Sequence, residues 1–117
     1  MLDQRLLAIV ALGLVAGCGA GSVPVGASTD ARSAISAAEA VGAENQPQAA
    51  LHLKMARDQV RQADAMIRDG DNQEARLVLQ RAKVDAELAL ALSREAQMRA
   101  RAQQAWRQIS ELERQAR

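Results

Sequence analysis

The sequence contains no phenylalanine and no tyrosine, and Trp106 is its only aromatic residue. That removes the stacking platforms on which single-stranded nucleic acids bind. Its 15 basic and 14 acidic side chains leave a formal net charge of +1, so no overall field draws the chain to a polyanion, and no nucleic-acid partner is expected. His52 is the only histidine, which leaves neither a histidine cluster for a metal nor support for a histidine-based catalytic set. No glycine-rich phosphate loop is present. With one cysteine, Cys18, no intramolecular disulfide can form. No enzymatic activity, cofactor or metal is therefore expected.

What the chain has instead is alanine and an uninterrupted C-terminal half. No Gly or Pro follows Gly70. The span 71–117 reads as one helix, on the order of 70 Å long at about 1.5 Å per residue. Two apolar registers run along it. One is Leu77, Val84, Ala91, Met98, Ala105 and Leu112; the other is Leu88, Ala102, Ile109 and Ala116, broken by Arg81 and Glu95. Alternating steps of three and four over so many turns mark a coiled-coil or bundle seam. A core built largely of alanine removes little apolar area from water and is marginal by itself in a short chain. Help from oligomerisation, a partner or a membrane anchor is expected.

The first residues point to an anchor. After Arg5, an apolar run extends from Leu6 to Ala16. It is too short to span a bilayer as a mature helix and fits the hydrophobic region of a secretory signal, giving a signal peptide over 1–17. Val15, Ala16, Gly17 and Cys18 then resemble the lipobox of bacterial lipoproteins: a branched aliphatic, two small residues that fit beside the cleaved bond, and the cysteine whose thiolate takes the diacylglyceryl group. The resemblance implies that Cys18 becomes the acylated first residue and joins the chain to the membrane. More than one acyl chain gives stable anchoring where one does not. Gly19, where an aspartate would stand for inner-membrane retention, resembles the pattern of an outer-membrane lipoprotein facing the periplasm.

Residues 18–29 are rich in Gly, Ala, Ser and Val and read as a flexible tether with a mean reach of roughly 18 Å. Thr29 and Asp30 are good N-cap types, and Ile35, Ala38 and Val41 follow at helical spacing, so a first helix is expected over 30–44. Pro47 suits the first turn of a second helix over 47–69, with the stripe Ala49, Leu53, Ala56, Val60, Ala63 and Ile67. Gly70 can take the left-handed C-cap conformation, and Asp71 or Asn72 can cap the third helix. The fold class is all-α: a short helix, then an αα-hairpin whose last helix projects as a coiled-coil-like arm. Ala86 to Leu92 is apolar nearly all round, so helices one and two are expected on one side of it and a second copy or a partner on the other.

The residues Ala34, Ile35, Ala38, Glu39, Gly42, Ala43, Pro47, Ala56, Ala63, the Gly70–Asp71 turn, Ala75, Ala82, Asp85, Ala86, Leu88 and Ala89 are similar to a family of small bacterial envelope domains of unknown function. Its members occur in lipoproteins and ahead of OmpA-like peptidoglycan-binding domains. The resemblance implies an envelope location and a helical fold, and carries no catalytic residues with it. The stretch from Asp69 to Ala75 also resembles the turn of a tetratricopeptide repeat, but a repeat array needs about three copies and one is present; an αα-hairpin uses the same turn chemistry.

Interface candidates are Leu88, Met98, Trp106, Ile109 and Leu112, all on the third helix. Trp106 is either an interface anchor or a side chain lying against the coiled-coil flank. The arginine excess over 94–117 suits either an anionic surface or a solvated helix face. The acids from Asp58 to Glu74, interleaved with arginines, read as a salt-bridged face. His52 adjoins the second stripe and reads as structural. The function expected is a non-enzymatic scaffold or interaction module, paired as a homo-oligomer or with an envelope protein through the C-terminal helix. In an antiparallel pair Arg81 and Glu95 could meet. The alternatives are a wall-spacing lipoprotein joined to peptidoglycan, or an accessory subunit of an envelope enzyme or export complex.

Overall fold

A computed structural model describes residues 21–117. The expected signal peptide over 1–17 and the lipobox-like residues Val15, Ala16, Gly17 and Cys18 lie outside the described residues. Within them the chain is all-α, with no strand. Helix α1 spans Val25–Ala40, a short 3-10 turn spans Ala43–Asn45, α2 spans Pro47–Asp69 and α3 spans Asn72–Gln115.

Each boundary has a local cause. Pro47 occupies the first turn of α2, and the Gln46 side chain accepts the Ala49 N–H at 2.7 Å as its N-cap. Gly70 ends α2 at φ 89°, the left-handed C-cap expected of it. Its N–H donates to the Ile67 carbonyl at 3.2 Å, and the Asp71 N–H to the Met66 carbonyl at 2.9 Å, so two carbonyls of the last turn of α2 are satisfied. Asp71 holds the N-cap position of α3 without a side-chain cap bond.

The first helix departs from the sequence reading at both ends. It starts at Val25 rather than Asp30, so most of 21–29 is helix and not tether. Thr29 is not a cap: its hydroxyl donates to the Val25 carbonyl one turn back. Packing overrides the weak propensity of the Gly26–Ala27–Ser28 stretch. Pro24 is buried, Ala27 is half-buried and Ala31 fully buried, so this early turn has apolar cover. The helix stops at Ala40, not at 44, because Gly42 turns left-handed at φ 75° and starts the 3-10 turn.

Side-chain contacts fix the directions. The Asn72 amide donates to the Gly21 carbonyl at 2.6 Å at one end of α3, and the Gln97 amide to the Val41 carbonyl at 2.9 Å farther along, so α1 runs parallel to α3. Arg32 pairs with Asp64, and Arg57 with Glu39, so α2 runs antiparallel to both. The result is an up-down-up bundle. Gly21 stands at its base beside the α2–α3 turn, and α3 continues past its neighbours at the other end.

The core is mostly alanine: Ala31 and Ala38 from α1, Ala49, Ala56 and Ala63 from α2, Ala75, Ala82, Ala86 and Ala89 from α3. Small side chains let the three helix axes approach closely. Leu53 and Leu79 are the largest fully buried side chains. Beyond Gln97 every residue of α3 is exposed. That arm is about 28 Å long at about 1.5 Å per residue.

Candidate interaction surface

The two faces of α3 are chemically different. The face packed on α1 and α2 carries Ala75, Val78, Leu79, Ala82, Ala86, Ala89 and Ser93. At about 100° per residue, the heptad seam read from the sequence lies roughly opposite that face. The seam is therefore not the bundle contact over its proximal half. Leu77, Val84 and Leu88 are 54%, 62% and 40% exposed although they sit beside the core residues in sequence. The packed face is mostly alanine, with Val78 and Leu79 as its only large aliphatics, while Leu77, Val84 and Leu88 lie on the outward side.

The interface candidates on the arm are equally open. Met98 and Trp106 are 68% exposed, Leu112 is 64% and Ile109 is 45%. Leu77, Val84, Leu88, Met98, Ile109 and Leu112 thus form one outward stripe along the whole helix, and Trp106 sits at its edge. In the segment 86–92, Ala86 and Ala89 are buried against the other helices while Leu88 and Ala91 face out. This matches the expected division of that segment into a packed side and an open one. Leu51 and Met55 on α2 are two further exposed apolar side chains. Neither continues a long apolar register in the sequence, so the sequence pattern does not single them out.

Polar groups stitch the helices around this stripe. His52 Nδ1 lies 3.1 Å from Asp85 Oδ1, and Gln59 Nε2 donates to Asp85 Oδ2 at 2.8 Å, so one half-buried carboxylate of α3 receives two groups of α2. His52 thus has a structural contact. Arg57 reaches Glu39 and Glu44 at 2.5 Å each and ties α1, the 3-10 turn and α2 together. Those hydrogen bonds, Glu44's first, hold its guanidinium pKa above the ordinary value. Asp58 accepts from Lys54 at 2.7 Å and also pairs with Arg61; the Lys54 hydrogen bond is the main cause that lowers its carboxyl pKa. These pairs line exposed helix faces, as the interleaved charges implied.

Among the described residues no group of three His, Cys, Asp or Glu side chains is placed to hold a metal ion. No described helix is long and apolar enough to cross a membrane. The concave surfaces are open grooves: one, beside the outward stripe, is lined by Gln59, Leu77, Arg81, Val84 and Asp85, and another lies on the arm itself along Gln104, Arg107, Gln108, Glu111 and Leu112. The geometry offers a surface for contact along α3.

Residues 27–105 match the model of a family described as "Domain of unknown function (DUF4398)". The match runs from the first turns of α1 into the arm. No curated protein and no solved structure matches the chain.

Proposed function

The chain belongs to that family of domains of unknown function, and from this premise we propose that it is a lipid-anchored helical protein of the bacterial envelope. It works as a non-enzymatic scaffold or interaction module, with α3 as its contact element. The observation that carries the reading is the outward stripe of α3, which keeps six large aliphatic side chains at 40–68% exposure along the length of the helix. Leaving such side chains in water forgoes roughly 1.5–3 kcal/mol each relative to full burial. Contiguous apolar exposure of this kind marks interaction surfaces.

Anchoring is supported by the lipobox-like Val15 to Cys18 behind an apolar segment, and by the place of Gly21. Gly21 is three residue steps from Cys18, a reach of at most about 11 Å. The Asn72 bond fixes Gly21 at the base of the bundle. An acylated Cys18 therefore holds that end of the rod close to the bilayer, nearer than a free tether over 18–29 would. The outer-membrane destination, facing the periplasm, rests on Gly19.

Fractionation of Cys18→Ser tests the anchor. The unmodified chain is expected in the membrane pellet after a carbonate wash, and the variant in the soluble periplasmic fraction. If the variant still pellets after the wash, the anchor is not a lipid on Cys18.

A further inference from the structure

We infer that the outward stripe of α3 is covered by a second copy of this chain, packed antiparallel over the full length of the helix. The inference deepens the interaction-module reading by naming the partner. It rests on how the stripe matches itself.

In heptad terms Leu77, Val84, Ala91, Met98, Ala105 and Leu112 hold one seam position, and Arg81, Leu88, Glu95, Ala102, Ile109 and Ala116 the other. Helix α3 spans Asn72–Gln115, and its full overlap with an antiparallel copy coincides with a seam register. In that register Leu77 faces Ile109 of the second copy, Val84 faces Ala102, and Leu88 faces Met98. Of the polar residues on the seam, Arg81 and Glu95 each face an alanine, Ala105 and Ala91, while Glu74, in the first turn of α3, faces Leu112 at the open end of the overlap. A small residue opposite leaves room for a long charged side chain to lay its stem on the seam and turn its head to water. Arg81 and Glu95 thus serve the pair by each meeting a small residue rather than each other.

Other arrangements match less well. Slipping the antiparallel pair by one heptad either way sets Arg81 against Met98 or Leu112, and Glu95 against Val84 or Met98. A parallel pair sets Arg81 on Arg81 and Glu95 on Glu95 at the seam, and Arg94 beside Arg99 on the flank. Like charges across a contact select against that arrangement. In the antiparallel register the flanks bring Glu87 to Arg101 twice. The one like-charged pair on this flank is Arg94 with Arg94 of the second copy at the two-fold axis, where both exposed guanidiniums can turn to solvent.

Size points the same way. Twelve large aliphatic side chains leave water when the two stripes meet, an apolar contact on the order of the 1,200 Å² at which stable interfaces begin. The arrangement is isologous, the same patch on both copies, as a two-fold dimer requires. It also sets the two Gly21 ends at opposite ends of the rod, so a pair anchored through both copies lies along the membrane face.

Disulfide crosslinking of the full chain tests orientation and partner together. Two differently tagged versions, one Leu88→Cys and one Met98→Cys, are expressed in the same cells, with Cys18 and in a Cys18→Ser background, and oxidised with copper phenanthroline. Both changes are at exposed positions, and circular dichroism of each variant checks that the helices are intact. The expected product is the mixed Leu88→Cys/Met98→Cys dimer, at least about tenfold above either self-dimer, because in the antiparallel register identical positions stand about 15 Å apart along the axis. Dominant Leu88→Cys self-dimers would mean a parallel pair and overturn the inference. So would bands only at the mass of another protein, or no crosslink at all. Anchoring is read separately: a mixed dimer that persists in the Cys18→Ser background leaves the pairing standing whatever fractionation shows of the lipid.

Discussion

Gly70 carries the hairpin on a backbone angle. Its φ of 89° lies where side chains with a Cβ are disfavoured, yet a Cβ built there meets no atom within 4 Å. Gly70→Ala should therefore cost only the conformational term, about 1 kcal/mol, read as a lower urea midpoint with unchanged slope. A rise in stability would mean that the turn does not hold in solution. Asp85 is a second residue with a definable share. Its carboxylate receives both His52 and Gln59 from α2. Asp85→Ala should cost on the order of 1–2 kcal/mol, and Asp85→Asn less, because one acceptor oxygen remains. Asp58 gives the acid dependence. Its folded pKa is lowered, chiefly by the Lys54 hydrogen bond, so its contribution is present above the unfolded carboxylate value of about 3.9 and is lost as pH falls through the lower folded value. Asp58 is solvent-exposed, so Asp58→Asn should only slightly flatten the acid limb of a stability-versus-pH curve; an unchanged limb would mean the pair is fully screened.

The helix α3 is where sequence and structure part most instructively. Its existence, length and turn are legible, because nothing after Gly70 interrupts it and the cap chemistry of Gly70 is local. Pro47 marks the start of α2 for the same reason. Which face of α3 builds the bundle is not legible from hydrophobic weight. Leucines and valines dominate any apolar count, yet Leu77, Val84, Leu88 and Leu112 face out, while the inward face joins Val78 and Leu79 to the small Ala75, Ala82, Ala86 and Ala89. The early start of α1 was hidden similarly. Gly26 and Ser28 lack helix propensity, and only tertiary cover around Pro24 and Ala31 makes those turns helical. A pair of substitutions on one helix checks the assignment of faces. Ala86→Leu adds volume to a filled contact and should cost about 1–3 kcal/mol. Ala91→Leu, exposed five residues on, should stay within about 0.5 kcal/mol in a chain that is not paired. Equal effects, measured by urea unfolding of residues 21–117 kept monomeric by Ile109→Asp and Leu112→Asp, would contradict the assignment.

At the scale of the whole molecule, a bundle of small side chains supports a helix longer than itself. Bundle packing covers α3 on one face and only as far as Gln97. An isolated helix of that length is marginal in water, and the proposed second copy would supply the cover that the single chain lacks there. The envelope reading places such a molecule at a surface, where local concentration is high and pairing is favoured by mass action. The central claim is that the open seam of α3 is a contact surface for a second copy, and sedimentation equilibrium on residues 21–117 tests it most directly. At tens of micromolar the unmodified fragment should run at twice its chain mass, and Ile109→Asp combined with Leu112→Asp, which sets charge into the seam opposite Leu77, should run as a monomer. An unmodified fragment that stays monomeric across that range would contradict the claim.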